Sequence, residues 1–315
     1  MAKSSPLAVS KPSSSSGGVS AMVDCVRKQA AGWFADSETP LLAVILGSGL
    51  GGLADSIDVA AKIGFDQLPG MPVATALGHR GEFLLGRFAG VRVIAMAGRL
   101  HAYEGHDIHA ISRGMALLAS LSVDAVIISC AAGGLNSRYQ TGDLVIIDEH
   151  IGLLHGQMGM AALCQQDTVR GAPSGLRCGR PTCDPEFADI VYQVCSAEGA
   201  AGRIHRGTYL AVSGPNYETR AECRMMKSWG ADIVGMSTVP EVVLSSRAGL
   251  RTIAIGVVTN MAVPDAPMTA SHEDVLAVSS RASERLQRIV GAIAASLSRY
   301  PLHHGQPQHV GNGFA

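Results

Sequence analysis

Arg99 and His101 lie two positions apart on a segment that follows the apolar run Val91–Ala97. On extended backbone, positions two apart face the same side, so a forked cation and a titratable ring would point together. Both side chains donate well to an oxyanion. Two more turns after apolar runs carry groups of the same kind. Gly47-Ser-Gly-Leu-Gly-Gly52 follows Leu41–Leu46; its glycines let backbone N–H groups approach an anion, and Ser48 adds a hydroxyl. Ala131-Ala-Gly-Gly-Leu-Asn136 follows Ala125–Ser129 and reads as a third turn with bare backbone amides. Together the three loops favour a phosphate site.

The first glycine loop also fits the dinucleotide fingerprint G-x-G-x-x-G through Gly47, Gly49 and Gly52. That fingerprint needs an acidic residue closing a second strand about 20 residues on. Asp66 is near that distance, but Ile63-Gly64-Phe65 makes a poor strand and the intervening stretch is short, Gly-flanked and acidic. A tight turn with no ligand is the third reading of the loop by itself.

These loops need a scaffold that ends several strands at one place. The apolar runs Leu41–Leu46, Val91–Ala97, Ala125–Ser129, Leu144–Ile147, Tyr209–Ser213, Ile233–Met236 and Thr252–Thr259 predict buried strands. Between them Ile108, Ile111, Met115 and Leu118 recur at helical spacing. Asp184-Pro185 predicts a helix start that Gly199 can end. Thr219-x-x-Glu222 and Thr238-x-x-Glu241 both fit a capping box. A last helix is predicted from about Ser271 to Ser298. The pattern is α/β, a single domain with a mixed central sheet flanked by helices. No composition break divides residues 40–300, and the domain is read as 21–300, with a Ser-rich disordered leader at 1–20 and a disordered tail at 301–315.

Composition bounds the function. Hydrophobic residues make up 47% of the 315 and charged residues 16%, enough apolar material for a large core without metal or disulfide staples. Net charge is −1 with no basic stripe, which excludes a nucleic-acid surface and leaves any phosphate affinity to local groups. No apolar run reaches the roughly 18 residues of a membrane span, and the first residues lack a signal peptide's apolar middle. The seven cysteines form no Cys-x-x-Cys pair, pointing to reduced thiols in a cytoplasmic protein. Cys178 and Cys183 are too isolated to complete a metal site, so none is expected.

Taken together, the motifs resemble the trimeric purine nucleoside phosphorylase family, which also contains methylthioadenosine phosphorylases. The resemblance covers roughly Leu41 to Val275. Beyond the three loops, with Gly98-Arg-Leu-His-Ala-Tyr-Glu-Gly105 around Arg99, it rests on Gly78-His-Arg-Gly81, Gly214-Pro-Asn-Tyr-Glu-Thr219, Gly235-Met-Ser-Thr-Val-Pro-Glu241 and Val258-Thr-Asn260. It implies a homotrimer that uses inorganic phosphate as co-substrate and needs no cofactor. Ser48, Arg99, His101, the Ala131 backbone and Ser237 would hold phosphate, with His79 above them on a mobile loop. Tyr103 and Met236 would flank the ribose and His272 would reach its 5′-hydroxyl. Tyr217 would stack on the purine, Glu218 would accept from N1–H, and Asn260, supported by Thr259, would bond N7 and the 6-oxo group. Asn260, Glu218 and His101 are the expected catalytic groups.

In the resembled family, Asn at the Asn260 position goes with 6-oxopurines and Asp with 6-aminopurines. The chemistry agrees, since an amide donates to N7 and O6 whereas a carboxylate repels O6. Inosine and guanosine are the expected substrates, ahead of methylthioadenosine. A nicotinamide oxidoreductase or a non-catalytic purine binder are the readings from other classes. This chain departs from the family pattern at Cys130, often Asn, at Met261, where Lys is common in some members, and through Leu154–Thr182, where no aromatic residue stands out to close a neighbouring subunit's site.

Overall fold

The computed structural model describes residues 18–36, 39–48, 51–154, 183–262 and 272–297, with the backbone alone for His272 and Glu273. The expected leader and tail, Cys164, Cys178 and most of the Leu154–Thr182 stretch lie outside the described residues, as do Gly49 and Leu50.

The middle of the sheet is made by β1 (Leu41–Leu46), β4 (Val91–Ala97) and β5 (Ala125–Gly134), all parallel. Every residue of β1 is buried, as expected of a strand covered on both faces. Alternate residues supply the two faces. Leu41, Ala43 and Ile45 pack with Met22 and Val26 of α1 (Val19–Gln29), Met115 and Leu118 of α2 (Ile108–Ser120), and Val242 and Val243 of α5 (Val239–Arg247). Leu42, Val44 and Leu46 pack with Phe187 and Val191 of α3 (Pro185–Ala197) and with Leu286, Ile289 and Ile293 of α6 (His272–Leu297). The result is three layers with the sheet in the middle.

On one side, β3 (Glu82–Phe88) and β2 (Asp58–Gly64) extend β4 as an antiparallel meander. On the other, β5, β8 (Ile233–Gly235), β7 (Ile204–Ala211), β6 (Leu144–Gly152) and β9 (Arg251–Met261) pair in turn, and β9 returns to β5. Five strands thus close into a ring whose seam is β5, the strand shared with the open part of the sheet.

Several sequence expectations change here. Ile63-Gly64 does end a strand, β2, and that strand answers the dinucleotide reading. It lies at the far edge, antiparallel to β3, and the glycine loop leads into a short 3-10 turn, Gly51–Ser56. A dinucleotide fold requires a helix there and a parallel neighbour. The expected Ala131 turn is strand through Gly134, because β8 and β9 both pair with its end. Val212, Ser213 and Met236 fall just past the ends of the strands expected to hold them. Asp184 caps α3 by accepting from Phe187 N at 3.2 Å, and Gly199 follows it at φ +69°. Thr219 forms its capping box with Glu222 ahead of α4 (Arg220–Ser228). Thr238 does not cap α5; it has φ +72°, and its hydroxyl is engaged elsewhere.

Candidate active site

The C-terminal ends of β1, β4, β5 and β9 converge on one cleft of about 680 Å³, part of it open to solvent. Ser48, Arg99, His101, Tyr103, Ala131, Tyr217, Glu218, Met236, Ser237, Thr259 and Asn260 all line it. Cys130 and Val275 line it as well. Of the expected site residues, His79 is not among the lining side chains but lies against two that are, Ser48 and His101, and the side chain of His272 lies outside the described residues although its backbone opens α6.

The anion end is built from inside the sheet. Arg99 is 1% exposed. Its Nη2 donates to Ser129 O and its Nη1 to Thr238 Oγ1 at 3.3 Å. Gly47 is held against the next strand: a Cβ there would stand 2.7 Å from Ser129 O, so glycine at that position is required by strand packing as well as by any ligand. Ser129 ties both sides together, its hydroxyl donating to Ile45 O at 3.1 Å.

His79 comes over the strand ends because Gly98, at φ +106°, leaves room; a Cβ there would meet His79 Cβ at 2.7 Å. His79 Nε2 lies 3.0 Å from Ser48 Oγ, and Nδ1 lies within 3.0 Å of both backbone groups of Arg99. Burial, then the neighbouring His101, lower its pKa to about 4, so His79 is a neutral ring at pH 7. It orients the Ser48 hydroxyl without adding charge.

His101 is fixed from behind by Glu104. Glu104 Oε1 lies 3.0 Å from His101 Nδ1 and accepts from His101 N at 2.7 Å. Its Oε2 accepts from Thr75 N and Thr75 Oγ1, both at 2.6 Å. Burial opposes the charge, but the bonds from His101 and Thr75 outweigh it and hold the carboxyl far below the ordinary carboxylate range. With Nδ1 taken, Nε2 is the nitrogen left for a ligand. Tyr103 stacks on the His101 ring, centroids 4.7 Å apart, and burial raises its phenol to about 12, so it remains neutral.

At the other end, β9 places two adjacent side chains in the cleft, which a regular strand cannot do. The register slips between Ala132 and Gly133: Ala132 pairs with Val258 and Gly133 with Asn260, leaving Thr259 as an extra residue. The bulge turns both Thr259 and Asn260 inward. Thr259 Oγ1 lies 3.1 Å from Asn260 Oδ1 and 3.3 Å from Ala132 O, which turns the amide so that its NH2 is free to donate. Glu218 stands just before the Thr219 cap, and burial, then Glu222, push its carboxyl pKa up. Tyr217 beside it is 45% exposed.

Sequence reasoning assigns no site role to four residues that hold this cleft in shape, Glu104, Ser129, Tyr209 and Thr238, or to Glu241, whose buried carboxylate lies 3.5 Å from Arg99 Nη1. Tyr209, wholly buried, accepts from Ser237 N at 3.2 Å and so props the Ser237 turn. The His101-x-x-Glu104 spacing is the one local signal among them. The others act across strands, and no spacing reports that.

A cleft at strand ends that gathers Arg99, His101, Ser48 and Ser237 with the Asn260 amide and the Glu218 carboxyl fits a nucleoside phosphorylase type of α/β enzyme. Residues 41–295 match the family model described as Phosphorylase superfamily. The chain is 37% identical over 258 residues to purine nucleoside phosphorylase 1 of Bacillus subtilis, covering 82% of this chain and 93% of that one. It is 33% identical to the bovine (Bos taurus) purine nucleoside phosphorylase, covering 82% and 90%. A Schistosoma mansoni purine nucleoside phosphorylase solved in complex with inosine superimposes with a TM-score of 0.74 at 29% identity, covering 88% of this chain and 95% of that one. The chain belongs to the phosphorylase superfamily, among its purine nucleoside phosphorylases.

Proposed function

We propose that this protein cleaves purine nucleosides with inorganic phosphate, preferring 6-oxopurines such as inosine and guanosine, and releases the base and α-ribose 1-phosphate. The observation that carries this is that one cleft is lined both by Ser48, Arg99, His101 and Ser237 and by Tyr217, Glu218 and Asn260. The ribose then lies between Tyr103 and Met236, with its anomeric carbon facing the phosphate.

Phosphate is already an anionic nucleophile, so the chain supplies position and field. Arg99, the Nε2 of His101, the Ser48 and Ser237 hydroxyls and the Ala131 backbone hold it below the sugar. Attack opposite the departing base inverts the anomeric carbon. As the C–N bond breaks, electrons move into the purine and negative charge grows at N7. The freed NH2 of Asn260 donates there more strongly in the transition state than in the ground state. Glu218, when ionised, accepts from N1–H. Each of these steps uses groups of this chain and the phosphate itself. Among the described residues there is no cluster of His, Cys, Asp or Glu suited to a metal ion.

The homotrimer implied by the family resemblance is proposed as well, and light scattering on the purified chain checks it. A cytoplasmic location is supported by free thiols at the five described cysteines. Among the described residues no helix is long and apolar enough to cross a membrane.

The deciding assay compares inosine, guanosine, adenosine and methylthioadenosine with and without phosphate. Phosphate-dependent release of hypoxanthine and guanine is expected. No turnover of any of the four would defeat the proposal, and faster cleavage of methylthioadenosine than of inosine would move the substrate elsewhere within the family.

A further inference from the structure

Behind the anion end stands a carboxylate that the reaction does not use. Glu241, in the first turn of α5, is 1% exposed, as is the Arg99 side chain opposite it. Glu241 Oε1 lies 3.5 Å from Arg99 Nη1, inside ion-pair range but too long for a good hydrogen bond. Neither oxygen of Glu241 has a hydrogen-bond partner in the structure. A buried carboxylate ordinarily collects donors. Here the neighbouring hydroxyl that could have served, Thr238 Oγ1, is turned to Arg99 Nη1 and Ser237 Oγ. Thr238 takes a left-handed φ of +72° in doing so, a costly backbone for a β-branched residue. The guanidinium is therefore oriented by Ser129 O and Thr238 Oγ1, while Glu241 supplies it with opposite charge and little else.

We propose that Glu241 is a positioning residue of an electrostatic kind: its charge offsets that of Arg99 and holds down the affinity of the cleft for phosphate and for the sugar phosphate product. The inference rests on the phosphate reading above. An isolated buried cation costs the fold heavily, and a site that must release an anionic product gains from a cation whose field is already shared. Glu241 meets both needs without touching either ligand.

Binding of inorganic phosphate to the purified full chain is measured by calorimetry for the unaltered protein, Glu241→Gln and Glu241→Asp, with phosphate and nucleoside KM in parallel. With the charge removed and the two oriented bonds kept, Glu241→Gln should bind phosphate about tenfold more tightly. Its phosphate KM should fall with it while the nucleoside KM moves less than about twofold. Glu241→Asp keeps the charge and should stay within about threefold of the unaltered protein. A structural role predicts the reverse order, with Gln weakening phosphate through a loosened Arg99. Unchanged or weaker binding by Glu241→Gln overturns the inference. Should Gln not yield soluble protein, Glu241→Met removes the same charge and must show the same tightening. Should both fold only with phosphate present, dialysis into phosphate-free buffer must unfold them, since the anion then stands in for the missing charge. Failure to fold even at high phosphate also overturns it. If the unaltered protein binds no phosphate, the functional reading itself falls, a distinct result.

Discussion

The two ends of the cleft are built differently. At the anion end the ligand-facing groups issue from strand ends and are held by other buried groups: Arg99 by Ser129 and Thr238, His101 by Glu104, Ser48 by His79. At the base end, Tyr217 and Glu218 ride on a loop ahead of α4, and Tyr217 is 45% exposed. Ser48, Arg99 and His101 are thus preorganised by their packed neighbours, whereas Tyr217 and Glu218 sit nearer the rim, with Asn260 of β9, fixed by Thr259, the exception at their end. Damage at the first end should therefore reach stability, and damage at the second should stay in substrate binding.

Arg99→Met tests the contrast most severely. It removes the anion's main cation and leaves Glu241 buried without a counter-charge, a loss of about 3–5 kcal/mol of stability. Phosphate KM should rise by roughly two orders of magnitude or more. Adding Glu241→Met should restore much of the thermal stability and none of the activity; a double variant no more stable than the single one would break the comparison. Next in size, Asn260→Asp should cost about 10²–10³ in kcat/KM for inosine and tilt preference toward adenosine, with the melting temperature little changed. An unaltered inosine-to-adenosine ratio would count against base recognition by Asn260.

Glu218 gives a pH test. Its carboxyl pKa is raised by burial, so the ionised, N1–H-accepting form is lost on acidification sooner than for an ordinary glutamate. Guanine binding should weaken at mildly acidic pH in the unaltered protein and be weak but flatter with pH in Glu218→Gln. Identical pH profiles for the two would remove Glu218 from the base contact. The smallest effect is expected from Thr259→Val, which frees Asn260 to rotate at a cost of about 1 kcal/mol, near a fivefold drop in kcat measured at saturating phosphate.

Much of the frame is readable in the sequence, and the misses share a cause. β1 and β4 show as apolar runs because both faces are covered, and α3 announces itself through Asp184 and Pro185. β2 offers no such run: most of its residues are exposed, and only pairing with β3 makes it a strand. Ala131-Ala-Gly-Gly134 reads as a turn by composition and stays extended because strands on both sides take its backbone. Thr238 and Glu241 carry a capping-box spacing, yet Arg99, far away in sequence, takes the hydroxyl. The ligand-facing residues fall into recognisable motifs. The groups that aim them are reached across the sheet, and local spacing holds no record of those contacts.

The extra residue in β9 has a consequence for how substrate choice can change. A strand alternates like a two-beat count, and Thr259 is an added beat that lets two successive side chains fall on the same face. Deleting it would leave Val258 on Ala132 and Asn260 on Gly133, a regular pairing in which Asn260 keeps its face and loses the hydroxyl that turns its amide. In the proposed reading, base preference therefore rests on an inserted neighbour as well as on the amide itself, and a single-residue deletion there removes the neighbour without moving the amide to the other face.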